Sequence, residues 1–551
     1  MAGTKAAART HSWWMGTLVV FYTLMMGLIL GCLLFLTHLD YQCKKVFDIA
    51  NLPLLLGGMG LMLALMCAYL WLTGSGRVLR LRAYRLAAQY KNCLYLLCLL
   101  LLLLTQVYIA RNVLFRAGWD PGAVLQFAHG RAQSIPPSGW ESAYFSRCPN
   151  NLLLTWFYSF ALRVNQAVGV WNGSESSSYL MSLVFINCLI SCAASALVFG
   201  SVKRLTGSGR WARLAWAVYC ALIGLSPWFL VAYSDAVGLL FPILICYLLI
   251  RPFRSRLVKG LLIGFAGCVG YLIKPQAVIV LIAVMIVKGL SLLRLNCRKA
   301  VGLCVRTAVP MVAAALITFG LYHRVVTPAM GLRLDPEASF TIPHFLMIGL
   351  NEETTGGYSE EDVRFSASFK TNEERGRANL QRAMERLKTF GPAGYAEFLV
   401  KKTLFNYNDG TFGWGGEGDF SNWVCQDVNT KASPLLKSIY YHQGTNHHYL
   451  ATFFQGVWLL ILAGCLLAGC ALRRQPREAA EKMAVVLLSL VGLTLFELLF
   501  EARARYLYTF APVYLLAAVL GWRQMLCVVR HLLSGKETAG ANQQKVAKKS
   551  P

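Results

Sequence analysis

Along this chain apolar residues run on in stretches close to twenty residues long, the length that crosses the hydrocarbon core of a bilayer, and polar residues gather between them. The pattern predicts about twelve spans, at roughly 13–37, 52–73, 93–110, 178–200, 214–233, 236–250, 260–273, 276–292, 307–325, 449–471, 483–501 and 506–522. Only two intervening segments are long, 111–177 and 326–448. The expected architecture is therefore an all-α polytopic membrane protein with two extracytoplasmic segments. Residues 1–325 form an N-terminal transmembrane module carrying the outer loop 111–177, 326–448 an outer loop domain, 449–522 the C-terminal spans and 523–551 a basic tail.

Composition agrees: the 551 residues are 56% apolar and only 14% charged, which leaves too little polar surface for a soluble protein. The net charge of +27 would suggest nucleic acid in a soluble chain. Here the basic clusters, RVLRLRAYR (77–85), KRLTGSGRWAR (203–213), RPFRSRLVK (251–259), RLNCRK (294–299), RRQPR (473–477) and the tail, fall between alternate pairs of spans. That asymmetry puts both termini in the cytoplasm of a multi-pass cell-membrane protein, with anionic lipid rather than nucleic acid as the partner of the basic face. The N-terminus lacks a small-residue cleavage site after a short apolar region and is expected to lead into a retained first helix. No GxxxxGK[ST] occurs, and the short cytoplasmic segments leave no room for a nucleotide-binding domain, so ATP-driven transport is not expected. Most of the 17 cysteines lie within spans, without metal spacing; Cys43, Cys148 and Cys425 fall outside, where a disulfide between two of them stays open.

Chemistry is expected on the outer face. In 151–164 an apolar helical stretch is expected at the interface, with Trp156, Phe157 and Tyr158 at headgroup depth. Residues 372–391 read as an amphipathic helix with Leu380, Met384 and Leu387 on one face, Asn372 as N-cap and Gly391 as stop, and 412–420 as a glycine-rich loop. FRAGWDPGAV (115–124) places Asp120 about ten residues beyond the third span. A carboxylate there can act as a general base toward an attacking hydroxyl or amine, or simply cap a helix or pair with Arg116 or Arg131.

Beyond Asp120 come AVLQFAHG, then Glu141, then YFSRCPNN (144–151). Here the chain resembles integral-membrane glycosyltransferases of the GT-C type, in particular bacterial ones similar to protein mannosyltransferases and lipid A aminoarabinose transferases. In that group the first outer loop opens with an Asp and, in one subgroup, continues as Tyr-Phe-x-x-Tyr-Pro-Asn-Asn; Cys148 stands here in place of the second Tyr. LSPWFLVAYSD (225–235), GYLIKPQAVIV (270–280), PHFLMIGLN…GGYSEED (343–362), KKTLFNYNDGTFGW (401–414) and FEARARYLYTFAPVYLLA (500–517) occur in the order that the resemblance calls for.

The resemblance implies transfer of a sugar from a polyprenyl-phosphate-linked donor to a glycan, lipid or protein acceptor, by inverting displacement with Asp120 as base. It implies Asp235, with Glu141, near the acceptor or an optional divalent cation; two acids without a third ligand make no firm metal site. Arg503, Arg505 and Lys274 lie where apolar spans meet water, and are expected to hold the donor phosphate or else to snorkel or pair with Glu497 and Glu501. Tyr144, Arg147, Asn150 and His344 are further outer-loop candidates, and the HxxxxHH of 442–448 has no zinc spacing. The alternative is a transporter or flippase of a lipid-linked glycan, which would call for ionisable residues at midspan.

Overall fold

A computed structural model of the chain describes residues 13–39, 49–74, 90–169, 176–293, 295–414 and 433–547. Cys43, Cys425, the basic cluster 77–85, the glycine-rich stretch from 415 and the last four residues lie outside them. All regular structure among the described residues is helical, as expected where lipid leaves each backbone N–H and C=O to be satisfied within its own segment.

Nine helices among the described residues are long and apolar enough to cross a membrane. They are α1 (Trp13–Phe35), α3 (Lys91–Val113), α7 (Ser176–Thr206), α11 (Arg256–Ile273), α12 (Val278–Leu292), α13 (Cys297–Leu321), α18 (His447–Leu472), α19 (Arg477–Leu499) and α20 (Arg505–Ala547). Two predicted spans are shorter apolar helices: α2 (Asn51–Gly74), whose described apolar part is Asn51–Leu65, and the pair α9 (Ser234–Gly238) and α10 (Leu240–Ile250). The two long connecting segments add α4 (Trp119–Ala132), α5 (Gly139–Arg147), α6 (Leu152–Ala167), α14 (Ile342–Gly349), α15 (Glu360–Ala367), α16 (Asn372–Tyr407) and α17 (Pro434–Tyr440).

The expected span 214–233 is a correction. Helix α8 (Gly209–Tyr219) gives way to a π turn at Cys220–Gly224 and a 3-10 turn at Pro227–Leu230. Pro227 has no N–H to continue a helix, and the Ser226 hydroxyl accepts from Trp228 N at 3.5 Å. Irregular backbone is tolerated at such depth only inside protein, and buried donors meet it. Gln106 Nε2 donates to Gly224 O at 2.6 Å, and Asn187 Nδ2 to Phe229 O and Val231 O at 3.1 and 2.9 Å. Trp228 Nε1 in turn donates to Thr411 O and Phe412 O at 3.0 and 3.1 Å.

Apolar side chains gain little by leaving lipid for one another, so close backbone contact and buried polar bonds hold the helices together. Asn51 Nδ2 donates to Leu33 O and Asn408 Oδ1 at 2.8 and 2.6 Å, while Gln455 Nε2 reaches Asn51 Oδ1 at 3.0 Å. The Tyr407 hydroxyl shares bonds of 2.7 and 2.9 Å with Thr494 and Tyr514. Where α18 crosses α20, Gly464 and Gly521 meet backbone to backbone; a Cβ on Gly464 would stand 2.5 Å from Trp522 Nε1 and 2.8 Å from Ala518 O.

The helices of the connecting segments depart from expectation in direction. Tyr158 on α6 faces the core, bonded to Asn187 at 3.4 Å, and Phe160, Val164 and Val168 are its exposed large apolar residues. Helix α16 is capped by Thr371, whose hydroxyl accepts from Glu374 N, and Gly391 (φ 60°) kinks it rather than ending it. It buries Arg375, Asn379 and Ala383 and leaves Leu380, Met384 and Leu387 exposed. Beyond the kink, Lys402 Nζ donates to Gly349 O and Phe500 O, both at 2.6 Å, tying α14 and α16 to the segment that enters α20.

Gly464→Val should therefore cost about 3 kcal/mol, since the facing atoms belong to backbone and an indole that cannot yield. Thermal unfolding in detergent should show a lowered midpoint, whereas Gly31→Val, with nothing within 4 Å of its Cβ position, should leave it within a degree or two.

Candidate functional site

Asp120 lies in the first turn of α4, where the helix dipole favours a carboxylate. Trp119, the residue before it, has a positive φ of 40°, a conformation that costs a non-glycine residue about 1 kcal/mol or more. The Asp120 carboxylate is half-buried and bracketed by two phenols. Tyr144 Oη donates to Oδ1 at 2.7 Å, and Tyr233 Oη lies 3.4 Å from Oδ2 and 3.2 Å from Asn151 Oδ1. Asn151 Nδ2 closes the ring by donating to Tyr144 Oη at 2.8 Å. Burial, then the neighbouring Tyr233 and Asp120, push the Tyr144 hydroxyl well above its ordinary range, and burial followed by Asp120 does the same for Tyr233. Both phenols stay protonated and act as donors. Burial first, then Asp120, pushes the Cys148 thiol up to about 12, so it is a neutral neighbour and not a nucleophile. Cys148 is a free thiol.

The cations approach from α20 and from the turn after α11. Arg505 is 5% exposed, with its guanidinium 4.5 Å from the Trp119 ring centre and 5.7 and 5.8 Å from those of Tyr233 and Tyr506. Lys274 Nζ pairs with Asp235 Oδ1 at 2.5 Å and lies 4.5 and 5.9 Å from the Tyr506 and Tyr233 rings. Arg503 points elsewhere: it pairs with Glu501 at 3.0 Å and covers Tyr358 at 5.5 Å. Asp120, Arg505, Lys274 and Asp235 thus converge on one tyrosine, Tyr233, and Arg503 stands beside them.

The two acids do not fit a divalent ion. Asp120 is engaged by tyrosine hydroxyls, and the Lys274 ammonium occupies the place against Asp235 that a cation would take. Among the described residues no group of three His, Cys, Asp or Glu side chains is placed to hold a metal. Asp235 is 1% exposed, and its Oδ2 has no hydrogen-bond partner among them.

The remaining predicted residues are scattered. Glu141 closes a capping box, its Oε2 accepting from Ser138 N at 2.7 Å and from the Ser138 hydroxyl. Those bonds engage the carboxylate at the start of its own helix. Arg147 and Asn150 are exposed on the rim after α5. His344 is buried on α14, its Nδ1 2.6 Å from Ser366 Oγ and its ring stacked on Phe340 at 4.0 Å. Tyr233, Asn151 and Trp119 carry no signal of their own in the sequence, although they stand in the YSD, PNN and WDP strings beside the acids and the predicted outer-loop candidates.

The family model described as conserved hypothetical integral membrane protein matches residues 11–526. No curated protein matches the chain. Among solved structures it is similar to the archaeal oligosaccharyltransferase AglB from Archaeoglobus fulgidus in complex with an inhibitory peptide and a dolichol-phosphate. Identity is 13%, over 82% of this chain and 52% of that one, with a TM-score of 0.41. It is also similar to the apo form of an Archaeoglobus fulgidus oligosaccharyltransferase, at 14% identity over 80% of this chain and 52% of that one, TM-score 0.40. The chain spans about half the length of the solved structures it matches.

Burial holds the His344 imidazole down at about 4. A base whose folded value lies below its unfolded value of about 6.5 stabilises the fold fully above 6.5, and that contribution is lost as pH falls toward 4. His344→Gln should flatten the acid limb of thermal midpoint against pH between 6.5 and 4, a difference on the order of 3 kcal/mol across the window.

Proposed function

This chain belongs to the family of conserved hypothetical integral membrane proteins, whose model covers residues 11–526, and from that premise we propose that it is a membrane glycosyltransferase. The sugar comes from a polyprenyl-phosphate carrier, and the acceptor is on the extracytoplasmic face, both termini being cytoplasmic. In the proposed reaction an acceptor hydroxyl forms a bond to the anomeric carbon as the bond from that carbon to the carrier phosphate oxygen breaks. The hydroxyl proton passes to Asp120, and the electron pair of the broken bond leaves with the phosphate. Attack opposite the leaving group inverts the anomeric centre.

The observation that carries the reading is the arrangement around Tyr233. A half-exposed carboxylate held by two phenolic donors lies next to a guanidinium buried against Trp119, the residue adjoining that carboxylate. Tyr144 and Tyr233 fix the orientation of the base. Arg505 is the principal cation for the charge that grows on the departing phosphate, and its planar fork suits two phosphate oxygens. Lys274, already paired with Asp235, supports that charge from behind; Arg503 serves the rim. The order of the outer-loop motifs along the chain supports the same reading. No metal enters the scheme.

A polyprenyl-phosphate donor with a radiolabelled sugar, given to isolated membranes that supply the acceptor, tests it. Asp120→Asn, shown to insert normally, should lower transfer by about 10²–10⁴-fold, and Tyr144→Phe by about tenfold through a lost orienting bond. Unchanged turnover in Asp120→Asn, or movement of the intact donor without cleavage, overturns the proposal.

A further inference from the structure

Three aromatic rings from three separate segments stand partly exposed around Asp120. Trp119 is 42% exposed at the start of α4, Trp140 53% on α5 and Tyr358 51% on the loop before α15. Trp140 stacks on Tyr144 with ring centres 5.7 Å apart and planes 13° from parallel, and Tyr144 is the phenol that donates to Asp120. Tyr358 lies under Arg503, its ring centre 5.5 Å from the guanidinium, and Arg503 stands two residues before the Arg505 that packs on Trp119. Planar polar side chains are exposed where α5 ends and the next turn begins, Arg147 and Asn150, the latter beside the Asn151 that donates to Tyr144.

We infer that this rim is the acceptor subsite and that the acceptor is a carbohydrate, bound with the apolar face of a sugar ring on Trp140. The inference rests on the proposed transferase reading and adds the class of its acceptor. A pyranose carries C–H groups on one face and hydroxyls around its edge. The electron-rich face of an indole attracts those C–H groups, while guanidinium and amide planes reach the edge hydroxyls with paired hydrogen bonds. The rigid stack on Tyr144 holds the indole in place before anything binds, so little side-chain freedom is lost on binding. It also couples the platform to the base: a sugar on Trp140 is one ring away from the phenol that orients Asp120.

An aromatic belt at the bilayer surface would look different, and the chain shows such a surface elsewhere. On α6, Trp156 stacks on Phe160 at 6.0 Å, and Phe160, Val164 and Val168 line up as exposed residues along one face. That face carries apolar side chains in succession with the exposed Arg163 beside them, as a helix lying at an interface does. Trp140 has Gly139 and Glu141 as chain neighbours, with Arg147 and Asn150 at the other end of the same segment.

Binding is measured without donor, so the test is independent of turnover. The full-length protein in lipid nanodiscs is titrated with soluble glucan, mannan and N-acetylglucosamine oligomers, with a mixed peptide and anionic lipid vesicles as comparators, by saturation-transfer NMR and calorimetry. At least one oligosaccharide should bind, Trp140→Ala should weaken it about tenfold, and Trp140→Phe should restore part of the loss. No oligosaccharide binding, equal affinity in Trp140→Ala, or binding of the peptide or vesicles in preference overturns the inference. Failure of the transferase reading shows separately, as unchanged turnover in Asp120→Asn with saccharide binding intact.

Discussion

The irregular backbone between Leu225 and Tyr233 has to satisfy its polar groups inside the protein, and much of the site depends on how that is done. Gln106 on α3 and Asn187 on α7 spend their amides on Gly224, Phe229 and Val231 carbonyls, and the Tyr440 hydroxyl reaches Leu225 O at 3.3 Å. Trp228, fully buried, is pinned to the 411–412 loop and packs edge-on to Trp414 at 5.4 Å. A continuous helix here would carry Tyr233 and Asp235 along its own axis. The broken segment instead delivers both to the neighbourhood of α4 and α20. Each amide left unpaired in this setting costs several kcal/mol, so the donors and the break are one unit.

Asp235 and Lys274 form the most buried ion pair at the site, at 1% and 5% side-chain exposure. Such a pair is costly to desolvate and poor evidence of stability by itself. Its position explains it better: the ammonium lies against Tyr506 and Tyr233, the rings that also flank Arg505. Two cations so close need a counter-charge, and Asp235 supplies it from below while the aromatic faces supply the rest. Arg503 lies on the non-helical backbone that enters α20 and Arg505 is the first residue of that helix, so Arg503 pairs with Glu501 while Arg505 packs against Trp119. The tie from Ala502 N to Gly356 O at 2.7 Å, with the Lys402 bonds to Gly349 and Phe500, holds that short segment in register.

Run length made most of the fold legible, because a bilayer selects on length and hydropathy alone. It misled at 214–233, where apolar composition persists but Pro227 ends the helix and partners from distant spans make the break tolerable. It misled again on α16, where apolar residues would ordinarily mark the packed face. Arg375 is buried there because it donates to Ser366 O, Glu337 O, Ser339 O and Phe369 O, so the inward face is built on carbonyls that no periodicity records. At the site, Asp120 was legible from its place after a span and Arg505 from its place before one. Their partners were not: Tyr233 meets Asp120 across 113 residues of chain, Asn151 joins the ring through the Tyr144 and Tyr233 hydroxyls, and only the fold brings them together.

The positive φ at Trp119 fits the same electrostatics. With that backbone setting the indole lies against Arg505 and edge-on to Tyr233, 5.6 Å away, and Arg505 also lies 5.7 Å from the Tyr233 ring. Cation–π attraction to a buried guanidinium contributes about 2 kcal/mol, enough to offset the strain, and it holds Arg505 against the residue that adjoins Asp120. In formal charge the cluster holds two acids, Asp120 and Asp235, and two bases, Lys274 and Arg505, and sums to zero. In the proposed reaction, a proton taken by Asp120 makes that sum +1 as the leaving phosphate gains negative charge. The site then becomes more attractive to the departing group during the step that releases it, the condition under which fixed charges lower a barrier rather than only tighten binding.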